Sequence, residues 1–472
     1  MDFPTISGDG TRTSEVTASA PLGAAPDAAP IRAAFGVALH MHQPTVLGDG
    51  DRMTAPLISN LQHMFEHPGE GDNHNAAAFL GCYGRSADLV GALVERGRQP
   101  RLMLDYSGNL LWGLTQMGQS DVLASLRRTT EPALAPSIEW LGTMWSHAVV
   151  SSTPIPDLKL HMLAWRHHFA ALFGLPALAR VRGFSPPEMH LPIHPDVCFA
   201  YVRALRECGY RWLMVQEHTV ETPDGTPLRQ PRVPHRLVAR NSAGDTESIT
   251  VLVKTQGSDT KLVGQMQPFG EAKSLDRQPL ADRAVPPYAL QIGDGENGGV
   301  MMNEFPSAYQ VAFDQLGPRD GGVAALNGTE YLETLAGLGV DDSAFPPVQP
   351  VSQHRIWQEL TAAGPGAADE AIARVRLRDP SFNLDRASWT SDRSWVAGYD
   401  DVMDPVLRLS AAFHARWDDV GDDARKAPGY QRSLLYLLLS QTSCFRYWGH
   451  GVWTDIAQEI CRRGLASLDA TT

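Results

Sequence analysis

The amino-acid sequence predicts an α/β protein whose main sheet is parallel. Short β-prone segments alternate with helix-sized segments, seven of these β-prone segments follow one another, and most of them end in a polar or ionisable residue. Alternating strands and helices favour a parallel sheet, and polar residues at the carboxyl ends of such strands are typical of a β/α barrel. Since no G-x-G-x-x-G turn follows the first strand, a barrel is favoured over an open dinucleotide-binding sheet.

The β-prone segments lie between residues 35 and 294. In chain order they are FGVALHMH (35–42), RLMLDYSG (101–108), SIEWLGTMWSH (137–147), VRGFSPPE (181–188), RWLMVQEH (211–218), SITVLVKT (248–255) and PYALQIGD (287–294). Between them, apolar residues recur at spacings of three and four in segments 76–96, 157–173 and 194–207. That spacing predicts helices between the strands.

Composition predicts three regions. Residues 1–32 are rich in Ala, Pro, Ser, Thr and Gly and lack apolar periodicity, so we expect a flexible N-terminal tail. Residues 33–326 hold the predicted barrel, and the turn-rich, mixed-charge stretch at about 222–285 predicts an inserted lid or subdomain. After about residue 327 the pattern changes to helices, which predicts a C-terminal helical region over 327–472.

The overall composition excludes some classes of partner. The chain has 472 residues, 43% hydrophobic, and a net charge of −13 without a dense run of Lys or Arg, which argues against nucleic acid and anionic membranes. Neither a membrane-length apolar stretch nor a standard signal peptide is present in the sequence. The five scattered cysteines lack a C-x-x-C pair, so we expect free thiols in a cytoplasmic protein.

The first chemical motif is the pair His40 and His42 in HMHQP (40–44). The period of two in a strand points both imidazoles to the same side. They could form hydrogen bonds to ligand hydroxyls or to a catalytic carboxylate, they could bind a metal, or they could be structural. The motif alone leaves these three interpretations open.

The second motif is GFSPPEM (183–189), in which a strand ends at two prolines and a carboxylate. Pro187 disfavours helical backbone at the residue before it, which stiffens the approach to Glu188. A carboxylate fixed at a strand end can act as a nucleophile or a general base. The alternative is a Glu that caps the next turn or pairs with an Arg.

The third motif is YALQIGDGENGG (288–299), which places Asp294 and Glu296 in a glycine-rich turn at a strand end. Glycine lets the backbone approach a ligand closely. This motif therefore predicts a second carboxylate site, although Asp-Gly is also common in ordinary turns.

Aromatic residues are the fourth feature. Trp140 and Trp145 flank the third strand end, before His147, and Trp389 lies with Asp392 in SWTSDRSW. Flat rings suit the apolar faces of sugars. Core packing is the alternative for each tryptophan.

The order of these motifs resembles glycoside hydrolase family 57. The resemblance covers about residue 33 to the C-terminus and extends to GTEYLE (328–333). It implies an incomplete barrel of seven β/α units followed by a helical bundle. In that family the glutamate after the fourth strand is the nucleophile and the aspartate before Gly-Glu after the seventh is the acid/base, which implies these roles for Glu188 and Asp294.

Several positions depart from the family pattern. Ser185 stands where the family often has Trp, His147 where some members have a sugar-binding Glu, and Ser443-Cys444 where a Ser-Asp pair is usual. These positions bear on which glucan is bound. The HMHQP motif differs from the HAHLP of the family's branching enzymes and favours the amylase and 4-α-glucanotransferase side.

The resemblance and the motifs together predict a retaining glycosidase or transglycosylase that acts on α-1,4-linked glucans without a metal or organic cofactor. A retaining pair of carboxyl groups lies about 5–5.5 Å apart, and we expect His40 and His42 to keep Glu188 ionised. The predicted substrate-binding residues are His40, His42, Trp140, Trp145, His147, Glu296, Trp389 and Asp392. A metal-dependent carbohydrate deacetylase and a non-catalytic glucan-binding or regulatory protein remain as alternatives.

Overall fold

The computed structural model describes residues 3–8, 11–16, 26–255, 261–296, 303–316, 322–385, 387, 399–421, 423–447 and 451–469. The described residues form fifteen strands: β1 (Ala33–Met41), β2 (Thr45–Leu47), β3 (Leu57–Ser59), β4 (Leu102–Tyr106), β5 (Ile138–Leu141), β6 (Gly183–Phe184), β7 (Trp212–Gln216), β8 (Val220–Glu221), β9 (His235–Arg240), β10 (Thr246–Lys254), β11 (Gln278–Leu280), β12 (Arg283–Val285), β13 (Tyr288–Asp294), β14 (Val323–Ala325) and β15 (Pro347–Pro350).

The same residues form eighteen α-helices: α1 (Asn60–Glu66), α2 (Ala76–Gly84), α3 (Ser86–Glu95), α4 (Gly108–Gln116), α5 (Ser120–Arg128), α6 (Ile155–Phe173), α7 (Leu175–Leu178), α8 (Pro195–Glu207), α9 (Lys261–Gly264), α10 (Gln267–Lys273), α11 (Phe305–Gln315), α12 (Gly328–Gly337), α13 (Gln353–Glu359), α14 (Ala367–Arg378), α15 (Asp400–Trp417), α16 (Pro428–Ser440), α17 (Cys444–Tyr447) and α18 (Val452–Asp469). None of these helices combines the length and the apolar character that a membrane span requires.

The fold is a mixed α/β architecture built on parallel strands. One sheet has the order β13-β1-β4-β5, and the other contains the parallel run β6-β7-β10. A parallel bridge between Gly142 and Phe184 joins the two runs. Each of the seven predicted strands is present, and the helices predicted over 76–96, 157–173 and 194–207 correspond to α2 with α3, to α6 and to α8.

Three of the parallel strands are buried along their whole length. Every residue of β4, β5 and β7 is buried, as expected for parallel strands between helices. After β4 the side chain of Ser107 accepts a hydrogen bond from the backbone N–H of Leu110 and caps α4. Helix α4 therefore begins directly after β4, and the last residues of β4 lie at the carboxyl end of the sheet.

Strand register decides which polar strand ends meet. His40 on β1 lies opposite Asp105 on β4 and opposite Asp294 on β13. Neighbouring strands in a sheet lie about 4.8 Å apart. The imidazole on the central strand is therefore flanked by a carboxylate from each side.

The stretch predicted as an insertion is partly built into the main sheet. Strand β10 lies within residues 222–285 and pairs in parallel with β7, while β9 pairs with β10 in the antiparallel sense. Strand β15, beyond residue 327, pairs with β9 and β8. The C-terminal region is therefore not purely helical, because one of its segments completes this sheet.

Parts of the N-terminal region, which the sequence predicts to be a flexible tail, contact the rest of the chain. Within the described stretches 3–8 and 11–16, Ile6 is buried in the main hydrophobic core, and Thr13 Oγ1 lies 2.6 Å from Nδ1 of His167 on α6. These contacts join stretches whose composition is otherwise typical of disorder to the core and to α6.

The C-terminal helices bring a turn to the carboxyl ends of the strands. Helices α15, α16 and α18 pack on one another. After α16, Thr442 forms an antiparallel bridge with Ala148, and the backbone N–H of Ser443 donates to the carbonyl of His147. The start of α17, at Cys444, is thereby placed beside the third strand end.

Candidate active site

The carboxyl ends of the parallel strands open into a cavity of about 660 Å³. Six of the predicted catalytic and substrate-binding residues line this cavity: His40, His42, His147, Glu188, Asp294 and Glu296. They lie at or just after the ends of β1 and β13, and in the turns after β5 and β6. Both predicted catalytic carboxylates therefore face one space.

Glu188 is held in a constrained backbone conformation. It lies in a 3-10 turn over Pro187–Met189, with φ of 57°, and Met189 follows with φ of 48°. Positive φ is uncommon outside glycine and persists only where the surrounding structure enforces it, which often happens at functional sites. The Glu188 side chain is only 14% exposed, and its Oε1 lies 3.8 Å from His147 Nδ1.

Asp294 and Glu296 are the acidic pair on the opposite strand end. The side chain of Asp294 is exposed to the cavity, yet the surrounding protein raises its pKa by desolvation, opposed by the charge of His40 and assisted by that of Asp105. Burial and the charge of Asp294 raise the pKa of Glu296 to about 8. This strand end therefore retains a proton near neutral pH.

Three imidazoles form a stack at the centre of the site. The ring of His147 lies 4.6 Å from that of His40 and 4.3 Å from that of His42. His40 Nδ1 lies 2.9 Å from Asp105 Oδ2, and the Nδ1 atoms of His42 and His147 lie 2.7 Å from the hydroxyls of Ser107 and Ser443. Each ring is thus oriented by a partner from another element.

The three histidines differ in charge. Burial lowers the pKa of His40, but the charge and hydrogen bond of Asp105 outweigh it, with help from Asp294 and Glu296, and raise this pKa to about 10. Burial lowers the pKa of His42, and the charge of His40 lowers it further. Burial and the other two histidines lower the pKa of His147. One imidazolium therefore lies beside two neutral imidazoles.

The expectation that His40 and His42 keep Glu188 ionised stays a prediction. Their Nδ1 atoms are engaged by Asp105 and Ser107, and His147 Nδ1 lies 3.8 Å from Glu188 Oε1. The periodicity of a strand predicted the common side of His40 and His42, but it could not reveal which carboxylate each ring would reach.

A buried arginine acts on Glu188 from the C-terminal helices. Arg446 is fully buried and donates to the carbonyls of Gln441 and Ser152. Burial lowers its pKa to about 10, opposed by the nearby charges of Cys444 and Glu188. Conversely, a cation close to Glu188 favours the ionised carboxylate.

The predicted tryptophans divide into two groups. Trp140 is buried against Phe169 and donates from Nε1 to Thr129 Oγ1, and Trp145 is fully buried and donates to His168 Nδ1. The structure therefore does not bring Trp140 and Trp145 to the cavity, because their rings fill the core behind the sheet. Trp389 and Asp392 lie outside the described residues.

Other side chains enter the site without having been predicted. Phe79 and Trp453 line the cavity, and neither follows a predicted strand. Lys254 also lines the cavity at the end of β10, and burial lowers its pKa to about 8. The end of SITVLVKT could have suggested Lys254, whereas the two aromatic rings reach the cavity only through tertiary packing.

Metal binding was one interpretation of the two histidines. Within the part of the chain that the structure describes, no three His, Cys, Asp or Glu side chains are grouped as a metal site would require. The donor atoms of His40 and His42 are instead directed to Asp105, Ser107 and the thiol of Cys444.

Comparison with known proteins gives a match of fold. No protein-family model and no curated protein matches the sequence. A 4-alpha-glucanotransferase from Thermococcus litoralis superimposes with a TM-score of 0.53 at 16% identity over 87% of this chain and 55% of the other. A GH57-type branching enzyme from Pyrococcus horikoshii gives 0.50 at 12% identity over 93% and 88%. The chain has the fold of glycoside hydrolase family 57.

A further family 57 neighbour supports this conclusion. An exo-type maltose-forming amylase from Pyrococcus sp. ST04 gives a TM-score of 0.50 at 12% identity over 88% of this chain and 75% of the other. The resemblance inferred from the motifs is therefore confirmed at the level of the fold. The chain spans about 55% of the length of the Thermococcus litoralis enzyme.

Proposed function

We propose that this protein is a retaining glycoside hydrolase or transglycosylase that acts on α-1,4-linked glucans. The observation that carries the proposal is the convergence of Glu188 and Asp294 on one cavity, from two strand ends, with His40 and His147 between them. The likeness to solved family 57 enzymes supports the reaction class. We also infer that the seven parallel strands form the incomplete barrel of that family.

In the proposed reaction, Glu188 is the nucleophile. Its carboxylate attacks the anomeric carbon, and the bond from that carbon to the leaving oxygen breaks. Asp294 gives its proton to the leaving oxygen, so a covalent glycosyl-enzyme and a sugar hydroxyl result. Asp294 then takes a proton from water or from a second sugar hydroxyl, which attacks the anomeric carbon and frees Glu188.

The electrostatics fit these two roles. The raised pKa of Asp294 keeps a proton available for the leaving group. The positive charge of Arg446 acts on Glu188, and a nearby cation favours the ionised form of a carboxyl group. The environment of Asp294 therefore suits an acid, and that of Glu188 suits a nucleophile.

The proposed substrate is an α-glucan or maltooligosaccharide. The proposal includes no nucleic acid or membrane partner and no cofactor. Glucan-active neighbours and the HMHQP motif favour the amylase and 4-α-glucanotransferase types. The five cysteines are free thiols, which supports a reducing, cytoplasmic compartment.

The test is to incubate the protein with maltooligosaccharides, soluble starch and glycogen and to follow product size, linkage and anomer. We expect Glu188→Gln and Asp294→Asn each to lower kcat by roughly 10²-fold to 10⁴-fold or more. The exposed residues Glu370 and Asp282 provide the matched controls Glu370→Gln and Asp282→Asn, which should keep wild-type turnover. Wild-type turnover in both site variants, or an inverted anomeric product, would contradict the proposal.

A non-catalytic glucan-binding protein is the second candidate. It is favoured by Cys444, whose thiol occupies the position of an expected acidic residue and lies 3.5 Å from His42 Nε2. This candidate predicts that the wild-type chain binds maltooligosaccharides in calorimetry and forms no product. Measurable disproportionation or shortening of the same oligosaccharides would exclude it.

A further inference from the structure

Asp105 makes a contact that the proposed reaction does not use. It lies at the end of β4, opposite His40, and its Oδ2 is 2.9 Å from His40 Nδ1. On the other side of the same imidazole, β13 brings Asp294 into register with His40. A single ring is therefore placed between the carboxyl group of the proposed acid and a second, deeper carboxyl group.

The environment of Asp105 requires a cation. The residue is only 1% exposed, and its Oδ1 is buried without a hydrogen-bond partner among the described residues. A buried carboxylate is strongly destabilised unless a positive charge or several donors compensate it. The imidazolium of His40 is the partner that the geometry supplies.

Other ionisable groups also face His40. His42 directly follows β1, and His147 lies in the turn after β5. Their rings lie 6.4 Å and 4.6 Å from that of His40. The carboxyl groups whose charges act on His40 are those of Asp105, Asp294 and Glu296. Since burial and the mutual effect of the rings lower the pKa values of His42 and His147, the positive charge of this cluster is located on His40.

We propose that Asp105 is a positioning residue that acts through His40: it orients the imidazole towards Asp294 and keeps it positively charged. The inference rests on the proposed function, because it assigns Asp294 as the group whose proton is controlled. Asp105 itself lies behind the ring and does not line the cavity. It therefore acts on the reaction only through His40.

The consequence for Asp294 has a definite sign. Burial raises the pKa of Asp294, the charge of His40 lowers it, and the charge of Asp105 raises it by less. Removing the charge of Asp105 should also remove the charge of His40, so the larger opposing influence is lost and the pKa of Asp294 rises. A general acid must be protonated, so the alkaline limb of activity moves to higher pH.

The first experiment measures the charge of His40 without any substrate. In ¹⁵N NMR of the imidazole nitrogens, wild-type His40 should remain an imidazolium through pH 8 and titrate near pH 10. In Asp105→Asn the pKa of His40 should fall below about 7, because burial then dominates, and the ring should be neutral at pH 8. A neutral His40 at pH 8 in the wild type overturns the proposal, even if the variant fails to fold, and so does a charged His40 in both proteins.

The second experiment is a double-mutant cycle on the pH profile of kcat/KM. We expect Asp105→Asn and His40→Gln each to move the alkaline limb upward by about 1 pH unit or more, and the double variant to move it no further than His40→Gln. An unmoved limb in Asp105→Asn, or additive shifts in the double variant, overturns the proposal. A merely structural Asp105 would lower the thermal midpoint without moving the limb.

The two experiments separate this inference from the proposed function. If Glu188→Gln and Asp294→Asn keep wild-type turnover, the proposed function fails, and the NMR titration still tests the pairing of Asp105 with His40. If those variants are inactive but His40 titrates normally in the wild type, the proposed function stands and this inference fails.

Discussion

His147 and Glu188 both adopt a left-handed backbone conformation, with φ of 60° and 57°, and place Nδ1 and Oε1 3.8 Å apart. The two residues follow different strands, so their unusual backbones are set independently and meet only in the folded protein. Non-glycine residues in this region cost about 1–3 kcal/mol each. The surrounding structure imposes both conformations and so holds the two polar side chains at the cavity wall.

The backbone of His147 gives the first prediction. Asn tolerates the left-handed region and Val does not, whereas both lose the contact to Ser443. We therefore expect His147→Val to be less stable than His147→Asn by roughly 1–3 kcal/mol in urea unfolding. Equal free energies of unfolding would show that His147 carries no backbone strain.

A second prediction concerns Gly295, between Asp294 and Glu296. A Cβ at this position would lie 2.2 Å from Met41 Cε and 3.1 Å from Leu39 Cβ. Met41 is fully buried, so its side chain can make room only by disturbing the core or the turn that carries the two carboxyl groups. We therefore expect Gly295→Ala to cost about 1–3 kcal/mol of stability and to lower activity. The control is Gly270→Ala in α10, where a Cβ meets nothing within 4 Å; it should be neutral or stabilising. Equal thermal midpoints for the two variants would contradict the prediction.

The thiol of Cys444 reports the charge of Glu188. Burial and the charge of Glu188 raise the pKa of Cys444 to about 12, so little reactive thiolate exists at pH 8. We expect slow alkylation of Cys444 by iodoacetamide, measured by peptide mass spectrometry, and faster alkylation in Glu188→Gln. The exposed control Glu370→Gln should leave the rate unchanged. No difference between Glu188→Gln and the wild type would indicate that Glu188 is not ionised in this site.

The aromatic residues of the cavity give a fourth prediction. Phe79 and Trp453 line the cavity, whereas Trp140 is buried against Phe169. Loss of a stacking ring costs about 0.5–1.5 kcal/mol, so Trp453→Ala and Phe79→Ala should raise KM for maltooligosaccharides roughly 2-fold to 10-fold. Trp140→Phe should lower the thermal midpoint and leave KM unchanged. An unchanged KM in Trp453→Ala and Phe79→Ala, with a raised KM in Trp140→Phe, would show that the substrate does not bind against the two cavity rings.

Acid stability gives the fifth prediction, through His168. Its Nδ1 accepts a hydrogen bond from Trp145, and burial lowers its pKa to about 4. A depressed histidine pKa contributes stability that is complete above the unfolded value of about 6.5 and is lost as pH falls towards 4. Between pH 7 and pH 5 this loss amounts to about 2 kcal/mol.

His168→Gln tests that pH dependence directly. The amide can accept the hydrogen bond of Trp145 and does not titrate, so the free energy of unfolding should fall less steeply between pH 7 and pH 5 than in the wild type. The comparison is made within each protein, which separates it from any uniform loss of stability. Parallel curves for the two proteins would show that His168 is not the group responsible.

The sequence by itself determined the parallel strands and the residues at their ends. The apolar segments that end at His42, Glu188 and Asp294 are local sequence patterns, and each of them forms a strand in the structure. The order of these endings was also enough to indicate the fold. Short-range periodicity and turn chemistry carry this information because they depend on neighbours along the chain.

Only the tertiary structure decided how those endings are combined. The pairing of His40 with Asp105, the approach of His147 to Glu188, and the entry of Cys444 depend on strand register and on the packing of the C-terminal helices. The burial of Trp140 and Trp145 depends on the same packing. Contacts between residues distant in sequence depend on which surfaces pack together. The pattern of residues along the chain does not specify that packing.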